Sequence, residues 1–260
     1  MGFLTDVVGD VRRRLEGRPL DDSMLLARAT LLPPPLDLVR ALRDGAPSVI
    51  AEVKRASPSA GTIADDADPV VQARAYATGG AAAISVLTEP AHFHGSLLDL
   101  HAVRLAVDLP LLRKDFLIQP SQVIEARAHG ADAVLLITAC LNDGDLAAML
   151  ACASDLGMGV LVEVHSDDDV ERAVASSAPA IGVNARDLET LDVDIERALE
   201  RLRMIPADRV AVLESGISTR AHVEAAVAAG ASGILVGEAL MRAPDPIAKL
   251  RELRGEEIER

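Results

Sequence analysis

The chain has 260 residues, half of them hydrophobic, with three Phe, one Tyr and no Trp, so a sizeable core has to be built from aliphatic side chains. A formal net charge of −14 makes nucleic acid and anionic lipid poor partners. The longest uncharged stretch, Ala75 to Thr88, is interrupted by two glycines and is shorter than the roughly 20 residues of a membrane span.

Residues 1–47 read as two or three short helices around Pro33-Pro34-Pro35, too short and too poor in core residues to form a domain. Asp6, Asp10 and the run Arg12-Arg13-Arg14 break up the apolar start, which has no signal-peptide pattern, and the expected location is the cytoplasm. The segment is expected either to cover the bottom of the following domain or to lean over its site.

From residue 48 one unit recurs: a helix ends near a glycine and an apolar run follows, as at Gly80-Ala81, Gly130-Ala131 and Gly230-Ala231. The glycine suits the left-handed position that ends a helix. The near-continuous apolar run suits a strand buried on both faces. Strands are predicted near Ser48–Val53, Ala82–Leu87, Leu111–Lys114, Ala133–Ile137, Gly159–Val164, Ala180–Val183, Val210–Leu213 and Gly233–Val236. Amphipathic stretches between and after them include Pro69–Ala77, Ser121–His129, Ser166–Ala175, Ile195–Met204, Thr219–Ala229 and Pro246–Arg254. Several open on a capping residue or an early proline, as in Asp68-Pro69 and Asp245-Pro246. Strict alternation predicts a parallel α/β architecture. Eight units close a (β/α)8 barrel, giving one domain over 1–260: an N-terminal helical extension at 1–47 and the barrel at 48–260. An open doubly wound sheet is the alternative.

In such a barrel the strand C-termini line the catalytic mouth. Here they read Glu52-Val53-Lys54, Arg113-Lys114-Asp115, Glu163-Val164-His165, Asn184-Ala185-Arg186, Glu214-Ser215-Gly216 and Gly237-Glu238. Only three of the 26 cationic residues are lysine, and two of these, Lys54 and Lys114, fall at strand ends. Lysine can give up its proton when desolvated, whereas arginine effectively cannot, so both are candidate acids. Residues two apart on a strand share a face, so Lys54, Lys114, Glu52, Glu163 and Glu214 can surround one mouth as mutually tuned acids and bases. The plainer reading is a solvated ring of ion pairs.

Glycines past the last two strands, Gly216 and Gly237, predict backbone N–H groups that hold a phosphate, the second opening a short helix at Glu238–Arg242. They also serve as simple turn residues. The loop from Ala56 to Gly61, running on through Asp65, Asp66 and Asp68, is a candidate lid or an ordinary connection. His92-Phe93-His94 has an H-x-H form, but no further ligand set accompanies it, so no metal is expected and Phe93 is read as a pocket wall. Asp167-Asp168-Asp169 follows Ser166 and is read as a helix N-terminus. Cys140 and Cys152 lack metal spacing and are expected as reduced thiols in a helical or near-helical setting.

Glu52-Val53-Lys54-Arg55-Ala56-Ser57-Pro58-Ser59, Leu112-Arg113-Lys114-Asp115-Phe116, Val162-Glu163-Val164-His165, Gly182-Val183-Asn184-Ala185-Arg186-Asp187-Leu188 and Glu214-Ser215-Gly216-Ile217 together resemble the indole-3-glycerol phosphate synthase family, over nearly the whole chain. The resemblance implies a cofactor-free enzyme of tryptophan biosynthesis. It would cyclise, decarboxylate and dehydrate 1-(2-carboxyphenylamino)-1-deoxyribulose 5-phosphate. By that match Lys114 is the acid that protonates the ketone. Independently of the match, ring closure onto a ketone calls for a lysine whose pKa is lowered by burial or a neighbouring cation. Lys54 holds substrate and is the acid of dehydration, and Glu163 is the base of the later steps. Glu52, Asn184 and Glu214 orient lysines and substrate hydroxyls. Ser57, Arg186, Ser215, Gly216 and Gly237 frame the phosphate, and Phe93, Phe116 and Leu188 pack near the aromatic ring.

The sequence departs from the family pattern at Ala185, where a second Asn is common, and at Ala60, where many members have Lys. Ala185 should face away from Asn184 and Arg186. Two other functions compete. A phosphoribosylanthranilate isomerase would need a cysteine near the end of the first strand, where Glu-Val-Lys stands. A non-catalytic barrel that binds a phosphorylated metabolite would not need the lysine and glutamate set. The expected assembly is a monomer or weak homodimer, with a small phosphorylated molecule as its partner and neither nucleic acid nor membrane.

Overall fold

The structure, a computed structural model, describes residues 2–45 and 47–256. Met1, Ala46 and residues 257–260, which the expected 1–260 domain includes, lie outside the described residues. The barrel strands are β1 (Ser48–Val53), β2 (Ala83–Leu87), β3 (Leu111–Lys114), β4 (Ala133–Ile137), β5 (Gly159–Val164), β6 (Ala180–Asn184), β7 (Val210–Glu214) and β8 (Gly233–Val236). All neighbours are parallel, and β1 pairs with both β2, Glu52 opposite Ser85, and β8, Ala51 opposite Val236. That second pairing closes the barrel and excludes the open sheet. The predicted strands hold to within one residue. Ala82 falls outside β2, and Asn184 and Glu214 are the last residues of their strands, not the first of a loop.

Each strand is followed by a helix on the outer face. Leu97–Arg104 and Asp143–Asp155 are two that the sequence pattern does not single out. Caps account for the helix starts. The Asp68 carboxylate accepts from the N–H groups of Val70 and Val71 ahead of Pro69. Ser166 and Asp169 form a reciprocal capping box, which is what the acidic triplet at 167–169 does. No helix of the described residues is long and apolar enough to cross a membrane.

Pleat alternation separates two cores. Val49, Ala51, Val86, Val134, Val162 and Ile181 point outward to the helices, while Ile50, Leu112, Leu135, Leu161, Val212 and Leu235 fill the interior. The N-terminal extension takes both of its expected places. Helix Leu38–Arg43 inserts Leu38 and Leu42, both fully buried, under the strand N-termini. Leu38 reaches within 3.3 Å of where a side chain on Gly159 would start. Each leucine contributes roughly 1.5–3 kcal/mol of burial there. Helix Phe3–Gly17 buries Leu4, Val7 and Val11, a stripe at i, i+3 and i+7, at the opposite, catalytic end. It is tied there by Arg14 near Glu89 (3.9 Å), Asp10 near His92 (3.8 Å) and the Phe3 ring edge-on to His92 (5.2 Å between centroids).

Candidate active site

The mouth of the barrel is a cavity of about 370 Å³. Pleat alternation carries Glu52, Glu163, Asn184 and Glu214 onto its floor, one layer above the apolar interior, all buried. Lys114 reaches across from β3 and donates to Glu163 Oε2 (2.9 Å) and Glu214 Oε2 (2.7 Å). Lys54 leaves the end of β1 and pairs with Glu52 Oε1 (2.8 Å). Asn184 Nδ2 donates to Glu163 Oε1 (3.0 Å). So all six residues expected to do chemistry share one space.

Two glycines make room for these carboxylates. A Cβ on Gly182 would lie 2.1 Å from Glu214 Oε1, and one on Gly237 2.2 Å from Glu52 Oε1. The root of Lys114 is fixed by a buried network. Arg113 donates to Asp115, Glu125 and Thr88 Oγ1, Thr88 Oγ1 donates to Asp115 (2.7 Å), and the Thr88 N–H donates to the Lys114 carbonyl (3.0 Å).

Burial works against the Lys114 ammonium, but the carboxylates of Glu163, Glu214 and Glu52 reverse that effect and hold it above the ordinary lysine range. This corrects the expectation of a lowered lysine. Its close partners are carboxylates, not a cation. Burial also opposes the Glu163 charge, yet Lys114 and the contacts from His165 and Asn184 hold that carboxyl below its usual range. Glu214 goes the other way. Burial raises it, Lys114 offsets only part, and the Glu163 charge adds to the rise. One ammonium between two carboxylates favours one ionised and one proton-retaining partner.

A polar corner faces this cluster. Ser215 (φ 65°) and Gly216 (φ 73°) are consecutive left-handed residues immediately after β7. A non-glycine residue held there is uncommon, and such strain concentrates at functional sites. A side chain on Gly216 would also strike Val193 at 2.7 Å. With Ser218, Gly237, Glu238, Ala239 and Arg242 these residues line one side of the cavity. Arg186 lines it too, its backbone N–H held by Asn184 Oδ1 (3.0 Å) and its guanidinium by the Leu191 carbonyl (2.7 Å). Ala185 is buried in the outer core, facing away as expected.

The loop after β1 folds as a two-stranded ribbon, Ala56–Ser57 against Gly61–Thr62. Its base is clamped by Arg55, which forks onto Asp99 (2.8 and 3.0 Å). Ser57, Pro58 and Ser59 face the cavity, while the Ala60 N–H donates to Ser57 Oγ (3.2 Å). Phe93, Phe116 and Leu188 form an apolar wall, with Phe93 and Phe116 rings 6.2 Å apart. His92 faces Asp10 and His94 faces Asp65, and no cluster of three metal-type ligands occurs among the described residues. Cys140, whose thiol burial pushes up to about 12, and Cys152 lie outside the cavity lining.

The sequence reading missed several participants. Phe3 joins the aromatic wall from the N-terminal helix, 6.4 Å from Phe116. Arg242 adds a cation to the polar corner, held by Glu238 (3.0 Å). His165 stands behind Glu163, Nε2 3.1 Å from Oε1. Two of them left a sequence signal: His165 lies two residues beyond Glu163, just past the end of β5, and Arg242 ends the short helix expected after Gly237.

A family model described as indole-3-glycerol phosphate synthase matches residues 4–253. Similar proteins carry that same name. The one from Micrococcus luteus is 48% identical over 261 residues, covering 98% of this chain and 97% of its own. The one from a Nocardioides species is 49% identical, covering 99% and 100%. The one from Mycobacterium avium is 51% identical, covering 89% and 85%. Among solved structures, 3-hexulose-6-phosphate synthase superposes with a TM-score of 0.64 at 18% identity, covering 80% of this chain and 98% of that one. A thiamine phosphate pyrophosphorylase from Pyrococcus furiosus does so at 0.60 and 19%, covering 84% and 96%. At such identities these two likenesses speak for the barrel fold alone.

Proposed function

The chain belongs to the indole-3-glycerol phosphate synthase family, and from that premise we propose how its side chains divide the work of closing an indole ring. It is a carboxy-lyase of tryptophan biosynthesis that acts on a phosphorylated small molecule. The reaction cyclises, decarboxylates and dehydrates 1-(2-carboxyphenylamino)-1-deoxyribulose 5-phosphate.

In the proposed sequence the ring carbon bearing the carboxylate attacks the ketone carbon. Lys114 Nζ gives its proton to the ketone oxygen as that oxygen gains charge, leaving a hydroxyl. The carboxylate departs as CO2, and its bonding pair restores the aromatic ring. Lys54 then protonates the hydroxyl, which leaves as water, while Glu163 takes a proton from the adjacent methylene to form the indole double bond. Glu52 aims Lys54, Asn184 and Glu214 aim Glu163 and Lys114, and the apolar wall of Phe3, Phe93, Phe116 and Leu188 receives the aromatic ring. The phosphate sits in the corner of Ser57, Arg186, Ser215, Gly216 and Gly237, with Arg242 beside it.

The observation that carries this reading is Lys114 suspended between Glu163 and Glu214, with the Lys54–Glu52 pair on the same floor. Two ammonium groups with carboxylate partners around one cavity support this reading, because a mere phosphate binder does not require them. The high Lys114 pKa fits an acid that lets go only when an oxyanion develops beside it. We further read residues 1–260 as one domain, acting in the cytoplasm as a monomer or weak homodimer without a cofactor, nucleic acid or membrane. The insertion of the extension at both barrel ends supports the single domain.

The test is direct, because the chain contains no Trp and the product's indole fluorescence stands clear of the protein's own. Purified protein with substrate should give a rising indole signal. Tight phosphate-ester binding without that signal would overturn the assignment of roles.

A further inference from the structure

We infer that His165 is a positioning residue that holds Glu163 in its working orientation, an inference that rests on Glu163 being the base proposed above. Glu163 Oε2 is occupied by Lys114 at 2.9 Å and Oε1 by Asn184 Nδ2 at 3.0 Å. His165 Nε2 lies 3.1 Å from that same Oε1. The imidazole is largely buried, and among the described residues neither ring nitrogen has another partner. Its Nε2 sits at contact distance from Oε1 but off the hydrogen-bond line, so a small rotation of either group completes the bond. Hydrogen bonds in unliganded catalytic sites are often misaligned in this way and tighten in the complex.

The geometry assigns the three donors different jobs. Lys114 is a reactant in the first step and must move with the substrate oxygen. Asn184 is shared, since its Oδ1 accepts from the Arg186 N–H. His165 serves Glu163 alone, and its own backbone is held by Asp169 Oδ2 (3.4 Å) at the start of the next helix. When Lys114 leaves Oε2 for substrate, the contacts on Oε1 are what keep the carboxylate ionised and aimed. The charged and titratable groups facing His165 are Glu163 near the end of β5, Asp169 on helix Asp167–Ala175, Asp187 on the loop after β6 and, beyond Glu163, Lys114.

The test compares His165→Leu, which fills the space without a donor, with His165→Gln, whose side-chain amide restores an N–H near Nε2. In His165→Leu, kcat should fall about tenfold, in keeping with a lost hydrogen bond to a charged group. KM should stay within about twofold, and the acid limb of kcat should move to higher pH. His165→Gln should recover most of that loss. A His165→Leu enzyme with kcat within about twofold of the parent at every pH would overturn the inference. So would an equal loss in both folded variants, which would mean that ring shape matters and the N–H does not. If His165→Leu fails to fold, His165→Gln decides: parent-like kcat and pH profile support the inference, and loss with an unchanged Tm overturns it. Glu163→Gln, measured alongside, separates the two levels. Full turnover in that variant would refute the base assignment itself, whatever His165 does.

Discussion

Gly182→Ala adds one methyl group to the barrel and should disable its chemistry. Gly182 lies opposite Glu163 in the β5–β6 register, beneath the carboxylate of Glu214. The new Cβ would stand 2.1 Å from Glu214 Oε1, 3.2 Å from its Cδ and 3.4 Å from Leu161 Cδ1. Oε1 has no hydrogen-bond partner of its own among the described residues, whereas Oε2 holds Lys114 at 2.7 Å. The carboxylate therefore escapes by rotating, and rotation draws Oε2 away from Lys114. A weakened hydrogen bond to a buried charge costs about 1.5–3 kcal/mol, offset by the roughly 0.5–1 kcal/mol that Ala gains over Gly in a strand. The net destabilisation is roughly 1–2 kcal/mol, read as a lower denaturant midpoint with an unchanged slope. Displacing Lys114 by even an ångström should lower kcat roughly tenfold to a hundredfold. The decisive control is the same change in a Glu214→Ala background, where no carboxylate is left to strike and the alanine should be neutral or stabilising. If Gly182→Ala costs as much stability there as in the parent, the collision with Glu214 is not its cause. If it leaves both stability and kcat unchanged in the parent, the argument fails outright.

Lys114→Ala should lower turnover by at least about 100-fold while circular dichroism and thermal unfolding show the fold retained; near-normal turnover would remove Lys114 from its role. Lys54→Arg keeps the charge but not the proton donation, so substrate should still bind in a titration while turnover is poor, and near-full activity would make Lys54 a counter-charge only. Glu214 holds its proton more tightly folded than unfolded. The parent therefore loses stability as pH rises from the ordinary carboxylate range through the raised folded value. Glu214→Gln mimics the protonated form, so its unfolding free energy relative to the parent should climb across that window and level off above it. Glu163 has the opposite sign, because its folded pKa is depressed. Its contribution is complete above the unfolded pKa and is lost as pH falls towards the folded one, so Glu163→Gln should flatten the parent's acid-side loss of stability.

The barrel was legible because a strand buried on both faces must be apolar throughout. Runs such as Ala133–Ile137 and Gly159–Val164 announce themselves without any partner being known. The floor of the site was legible for a related reason. Glu52, Lys114, Glu163 and Glu214 are charges at or near the ends of apolar strands, where only function or ion pairing keeps them. Helix Asp143–Asp155 went unremarked because its alanines and small residues blur the contrast between its faces. Phe3 and the Arg14–Glu89 tie could not be read at all. They depend on where the first helix comes to rest, through the distant pairs Arg14–Glu89 and Phe3–Phe116, and no local periodicity encodes that. The direction of the Lys114 shift was misjudged for another reason. The strand ends bring the carboxylates to the same mouth, but they do not say that Glu163 and Glu214 both close to hydrogen-bond distance of Lys114 Nζ and so outweigh burial.

That misjudgement bears on how the site handles an anionic substrate. The floor carries Glu52, Glu163 and Glu214 against Lys54 and Lys114, inside a chain of net charge −14. With every group ionised the empty site would repel a molecule bearing both phosphate and carboxylate. Burial and the Glu163 charge favour proton uptake at Glu214, which moves the floor towards neutral. Arg186 and Arg242, at the polar corner, then supply the local attraction that the overall field withholds. On this argument Arg242→Ala should raise KM several-fold, more at low than at high ionic strength, with little change in kcat, because the phosphate lies far from the bonds being made. A fall in kcat at unchanged KM would place Arg242 in the chemistry instead and would show that the lysines alone overcome the field.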